Sequence, residues 1–128
     1  MKKEKAFSLL ELIIVIIIVG VLATLGFVNY GSVKERTLDK EAQANLKLIR
    51  AAERIYRMEY GFYANAGNAA TVNSILKLAI PTGTPNWNYA VTGASTNAFS
   101  SRAQRNVTTG TPRAWCIDQA SETATSCP

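Results

Sequence analysis

From Leu12 to Ser32 the chain carries no charged residue, a run of 21 positions dominated by Ile, Val and Leu. About 20 mainly apolar residues suffice for a helix to cross a bilayer. A secretory signal would have a shorter apolar core followed by a small-residue cleavage site. Here the run passes directly into Val33-Lys34-Glu35-Arg36, so the reading is a retained membrane helix. Lys2, Lys3 and Lys5 precede it and hold the N-terminal side in the cytoplasm by the positive-inside rule, leaving the bulk of the chain outside.

Glu11 is the anomaly of this segment, standing between Leu9-Leu10 and Leu12-Ile13-Ile14. A carboxylate at a bilayer centre costs about 2.5–3.5 kcal/mol on insertion scales, and less near the interface where a helix start lies. A tolerated interfacial Glu is one reading. The other is that Glu11 has a partner, since a carboxylate in lipid requires a cation or a proton.

The string Lys5-Ala6-Phe7-Ser8-Leu9-Leu10-Glu11-Leu12-Ile13-Ile14-Val15 resembles the class III prepilin signal of type IV pilins and type II secretion pseudopilins. The resemblance implies that a prepilin peptidase cuts between Ala6 and Phe7 and methylates the new Phe7 amine. Glu11 then becomes the fifth mature residue, the family's assembly glutamate. Two departures stand out. Ala6 replaces the usual Gly before the cut, keeping a small residue. Many type IV pilins have a Pro at the position of Val28, and this anchor contains none. Gly20 and Gly26 supply local helix weakness instead, each worth about 1 kcal/mol against Ala. Close helix–helix packing in the membrane is the alternative reading of both glycines.

Between Val33 and Tyr60 there is neither Pro nor Gly. Leu38, Ala42, Leu46 (or Asn45), Ile49, Ala52, Tyr56 and Tyr60 recur at spacings of three and four, which is one apolar helix face. Leu48, Ala51, Ile55 and Met58 widen it. Mixed charges across Lys34-Glu35-Arg36, Asp39-Lys40-Glu41 and Glu53-Arg54 predict a solvated or subunit-contacting face. The expectation is one helix from near Ser8 to Tyr60, ended by Gly61 as a C-cap. Met58-Glu59-Tyr60-Gly61-Phe62-Tyr63 resembles the helix-to-loop junction of bacterial pilins and pseudopilins.

The remainder reads as a small head. Phe62–Asn68 is an exit loop, 70–78 a short helix and Pro81–Pro85 a turn-rich link. Three β-prone segments follow, Trp87–Val91, Ala98–Gln104 and Arg113–Asp118, separated by Gly, Thr and Asn. Trp87, Tyr89 and Val91 alternate, as do Trp115 and Ile117. These predict a three- or four-stranded antiparallel sheet laid on Leu46, Ile49 and Tyr56, with Trp and Tyr as core anchors. The fold class is α+β. The expected divisions are a leader at 1–6, an anchor at 7–32, the amphipathic half of the same helix at 33–60 and the head at 61–128.

The two cysteines, Cys116 and Cys127, are close together beside a membrane segment, which favours one disulfide in an oxidising compartment over two free thiols. The resemblance agrees, since many type IV pilins carry a C-terminal disulfide loop. Pseudopilins more often bind calcium there, and only Asp118 and Glu122 offer carboxylates in this region. Pilin is therefore favoured over pseudopilin, and no metal or other cofactor is expected.

No His is present, and there is no phosphate loop or paired nucleophile and base, so an enzyme is disfavoured. The net charge of +5 is modest, and a DNA-binding patch of Arg102, Arg105 and Arg113 is disfavoured against simple solvation. The resemblance implies a structural subunit of a type IV pilus, a homo-oligomeric helical filament serving adhesion, twitching motility or DNA uptake. Its implied partners are the prepilin peptidase, an inner-membrane assembly platform and the membrane itself. It implies an inner-membrane precursor and then a surface filament. The alternatives are a type II secretion pseudopilin or a membrane-tethered extracytoplasmic binding module.

Overall fold

The computed structural model describes residues 6–82, 86–108 and 112–128. The leader before Ala6 and the end of the Pro81–Pro85 link lie outside the described residues. The chain divides into two compact units, residues through Thr37 and Leu38–Pro128. One helix, α1 (Leu9–Tyr60, 52 residues), supplies residues to both.

In the first unit α1 starts where the Ser8 carbonyl accepts from the Leu12 amide at 3.2 Å. Its apolar side chains point outward all round, from Leu9 through Leu25 and on to Phe27. The Thr and Ser hydroxyls of this helix segment bond to carbonyls of the preceding turn. Thr24 Oγ1 donates to the Gly20 carbonyl at 2.8 Å and Ser32 Oγ to that of Asn29 at 3.0 Å. Such internal pairing is what a helix in hydrocarbon requires. α1 is long and apolar enough to cross a membrane.

In the second unit α1 becomes one-sided. Leu38, Ala42, Leu46 and Ile49 are buried and Ala52 and Tyr56 pack against the same core. Gly61 then takes φ 84°, a left-handed conformation that costs glycine little, and its amide donates to the Arg57 carbonyl at 2.8 Å. Beyond it lies α2 (Ala69–Leu76), shorter than the predicted 70–78 because Lys77 adopts a left-handed conformation. The Asn68 side chain caps α2 by accepting from the Thr71 amide at 2.9 Å.

Four strands follow, β1 (Trp87–Thr92), β2 (Ser100–Arg105), β3 (Ala114–Asp118) and β4 (Thr125–Ser126). They form an antiparallel meander in chain order. Trp87, Tyr89 and Val91 face inward from β1. Across from them β2 presents Ser101 and Ala103, and β3 presents Ile117 and Trp115. Small inward residues on the second strand lie between the large ones on either side, and the inner face joins Leu46 and Ile49 in one buried core. The fold is the α+β arrangement expected, a long helix with a four-stranded antiparallel sheet.

Three expectations need correction. Leu48, Ala51, Ile55 and Met58 do not widen the buried face; Ile55 is 61% and Met58 80% exposed. The core takes the stripe from Leu38 to Ile49 with Ala52 and Tyr56, and the second stripe stays exposed. Tyr60 is also exposed. Second, Glu53 is not on a solvated face but is fully buried. Third, Trp115 is only half-buried, because its indole Nε1 reaches Asp39 Oδ1 at 3.3 Å at the edge of the core.

Cys116 on β3 and Cys127 beyond β4 are joined as a disulfide across 11 residues of sequence separation. The Cys127 amide also donates to the Ala114 carbonyl at 3.0 Å, so covalent and backbone bonds close the same loop. Two outcomes follow for denaturant unfolding of the full chain in detergent micelles. Leu46→Ala should cost about 2–5 kcal/mol, while Met58→Ala should stay within about 0.5 kcal/mol. Replacing both cysteines by Ser should cost about 3 kcal/mol, the loop-closure value for a loop of this length.

Candidate functional site

Ala6, Phe7 and Ser8 precede α1, and Glu11 lies in its first turn. The first amides of a helix have no intrahelical acceptor, and their partial positive charge favours a nearby carboxylate by about 0.3–1 kcal/mol. That field makes the first turn the least costly place for Glu11 on this helix. Glu11 is exposed and has no hydrogen bond or ion pair to another described residue. Leu9, Leu10, Leu12, Ile13 and Ile14 surround it, all exposed. Phe7 is 78% exposed. Within one chain, four residues of helical rise would separate Phe7 and Glu11 by about 6 Å along the axis. Among the described residues the site therefore consists of an apolar surface with one carboxylate acceptor that has no partner within the chain.

Gly20 and Gly26 lie inside α1, and neither interrupts it. A Cβ at either position would meet nothing within 4 Å, so each glycine leaves a shallow notch on the outer surface of the helix.

The arginines considered as a nucleic-acid patch are drawn into the fold differently. Arg113 Nη1 pairs with Asp39 Oδ2 at 3.0 Å, and the Arg105 guanidinium lies 5.6 Å from the Trp87 ring centroid. Arg102 stands exposed in the middle of β2. Asp118, considered as a calcium ligand, instead caps its own turn. Its Oδ1 accepts from the amides of Ser121 at 2.6 Å and Ala120 at 2.9 Å. Those bonds, led by Ser121, hold its carboxyl below the usual carboxylate range, with Arg50 adding a smaller favourable field.

Sequence reasoning missed the polar side chains by which the head half of α1 grips the sheet. Trp87 Nε1 donates to the Leu38 carbonyl at 2.9 Å, and Asn45 Nδ2 to the Tyr89 hydroxyl at 2.8 Å. Arg50 donates through Nε and Nη2 to the carbonyls of Asp118 and Gln119, both at 3.2 Å. Glu53 Oε2 accepts from the Ala64 amide at 2.8 Å. One signal could have found Glu53: it falls in step with the buried stripe, four residues after Ile49 and three before Tyr56.

Residues 1–27 match the family model described as the prokaryotic N-terminal methylation motif. The chain is also 32% identical over 66 residues to the type IV major pilin protein PilA of Myxococcus xanthus (strain DK1622). That alignment covers 52% of this chain and 30% of the relative's length. The methylation motif and the pilin relative, together with a long N-terminal helix followed by a small antiparallel sheet, support a type IV pilin.

Proposed function

We propose that this chain is the structural subunit of a type IV pilus. The precursor is held in the inner membrane by the apolar half of α1. Prepilin peptidase cuts between Ala6 and Phe7 and methylates the freed amine of Phe7. An inner-membrane platform then adds the subunit to a helical filament that extends from the cell surface, serving adhesion, twitching motility or DNA uptake. The observation that carries this reading is the lone carboxylate of Glu11 in the first turn of an otherwise uncharged, outward-facing apolar helix.

Cleavage converts the amide nitrogen of Phe7 into an amine, protonated at neutral pH, and methylation preserves that charge. A neighbouring subunit shifted along the filament axis can bring its Phe7 amine against Glu11. Two opposite charges 4 Å apart attract by about 4 kcal/mol at an effective dielectric of 20, against about 1 kcal/mol in water. An unpaired Glu11 in the same apolar bundle would oppose assembly. The pair therefore selects one axial stagger, and repeating a single head-to-tail contact that does not close on itself generates a helical filament. Gly20 and Gly26 serve this assembly either as points of helix weakness or as notches for close helix approach. The C-terminal disulfide and the few carboxylates near it favour the pilus over a calcium-binding pseudopilus.

Glu11→Ala tests the reading. The variant should be inserted and processed to a Phe7 terminus yet be absent from filaments purified by shearing. Filaments of ordinary number and length by electron microscopy would contradict the role given to Glu11.

A further inference from the structure

Glu53 is the one charged side chain in the buried set of described residues, with no surface accessible to solvent. Its two oxygens are not equivalent. Oε2 accepts from the Ala64 amide at 2.8 Å, while Oε1 is buried with no hydrogen-bond partner. An ionised carboxylate has about four lone-pair sites to satisfy, and one bond leaves most of them empty in a medium that cannot solvate them.

The charged and titratable groups around it are committed elsewhere. On its own helix, Arg50 and Arg57 lie three residues before and four after it, so they share its side of α1. Arg50 is spent on the Asp118 and Gln119 carbonyls. Arg57 donates to the Tyr63 hydroxyl at 3.4 Å and to Asn97 Oδ1 at 3.3 Å. In the loop after α1, Tyr63 is the titratable group, and its hydroxyl is held by Arg57. From the end of β3, Asp118 is bound to its own turn. None of these groups hydrogen-bonds Glu53.

We propose that Glu53 is a single-proton site joining the end of α1 to the first loop of the head, and that this junction is firmest when the carboxyl is neutral and loosens when it ionises, because burying a charge beside the unpartnered Oε1 costs more than the stronger bond that an ionised Oε2 accepts from Ala64 returns. The junction sits where the chain turns from helix to sheet. Three residues after the Gly61 cap, Ala64 is held by Glu53, and its neighbours are held by β1 and the loop that follows it. The Tyr63 amide donates to the Ser95 carbonyl at 2.9 Å, and Ala66 bridges to Val91. Burial pushes the Glu53 carboxyl above its ordinary 4.5, with the Ala64 bond opposing in part. The folded chain therefore holds the proton more tightly than the unfolded one. The stability tied to that proton is fully present below 4.5 and is lost as pH rises through the folded value. Asp118 has the opposite sign: its contribution is lost only on acidification below its ordinary 3.8. The two windows do not overlap.

The test uses the full chain in detergent micelles, unaltered and as Glu53→Gln. NMR of the Glu53 carboxyl carbon should give a midpoint above 4.5. Thermal unfolding of the unaltered chain should occur at a lower temperature at pH 8 than at pH 5. Exchange of the Ala64 amide, corrected for its intrinsic pH dependence, should speed up on the order of tenfold over the same interval. In Glu53→Gln, which keeps an acceptor for Ala64 and cannot ionise, both changes should flatten. A carboxyl midpoint at or below 4.5 overturns the proposal, and that measurement on the unaltered chain stands even if the variant fails to fold. A folded variant that keeps the full pH slope, or that is less stable than the unaltered chain at pH 8, overturns it equally.

Discussion

A helix with apolar side chains in every direction has no single face to bury, and the first half of α1 is such a helix. Water disfavours it by roughly 25 cal/mol for each Å² of apolar surface left exposed, which accumulates quickly over Leu9 to Phe27. Only two surroundings remove that cost. One is lipid, which accepts a continuous helix because its backbone bonds are internal. The other is a bundle of like helices. A subunit that passes from the first to the second needs no refolding of this segment, since both surroundings accept the same uncharged surface. Glu11 is the exception on that surface, and it distinguishes the two surroundings: the bundle proposed above, built of subunits cut before Phe7, would offer a cation for it, and hydrocarbon would not.

The head half of the same helix follows a different logic. Its apolar stripe is narrow, Leu38, Ala42, Leu46 and Ile49, and it is flanked by polar side chains that fix orientation. Toward the start, Asp39 takes Arg113 and the Trp115 indole, and the Leu38 carbonyl takes the Trp87 indole. In the middle, Asn45 holds the Tyr89 hydroxyl. Toward the end, Arg50 holds the carbonyls of the β3 turn and Glu53 holds Ala64. Apolar burial alone would let the sheet slide or rotate on the helix with little change in buried area. Directional bonds spread along the contact remove that freedom, because a displaced sheet would leave buried donors and acceptors unmade.

Much of this could be read from the residues. The charge-free run, the unbroken α1 periodicity, the Gly61 stop and the alternation of Trp87, Tyr89 and Val91 each follow from local rules, and the structure agrees with them. What could not be read was which of two apolar stripes on α1 the sheet would cover. Leu46–Ile49 and Leu48–Ile55–Met58 satisfy the same 3.6-residue period, and only long-range topology chooses between them. Glu53 was misplaced for a related reason. A charged residue is ordinarily assigned to solvent, and its burial depends on Ala64, which arrives only after the chain has turned at Gly61. The second strand starts at Ser100 rather than Ala98, because Ser95 Oγ accepts from the Ala98 amide and holds the chain in a turn, and the other strand ends differ by at most one residue. At the N-terminal site, Glu11 stands out because it breaks the pattern around it, whereas the cation proposed for it would come from another molecule and lies outside any single-chain reading.

The central claim is that Glu11 meets the amine of a neighbouring Phe7. Electron cryomicroscopy of filaments sheared from cells, at a resolution that separates side chains, tests it directly. The account predicts that the filament is built of this chain beginning at Phe7, with each Phe7 nitrogen within about 4 Å of a carboxylate oxygen of Glu11 in an adjacent subunit. A filament in which Glu11 faces only apolar side chains, or in which the amine lies against some other group, would contradict it.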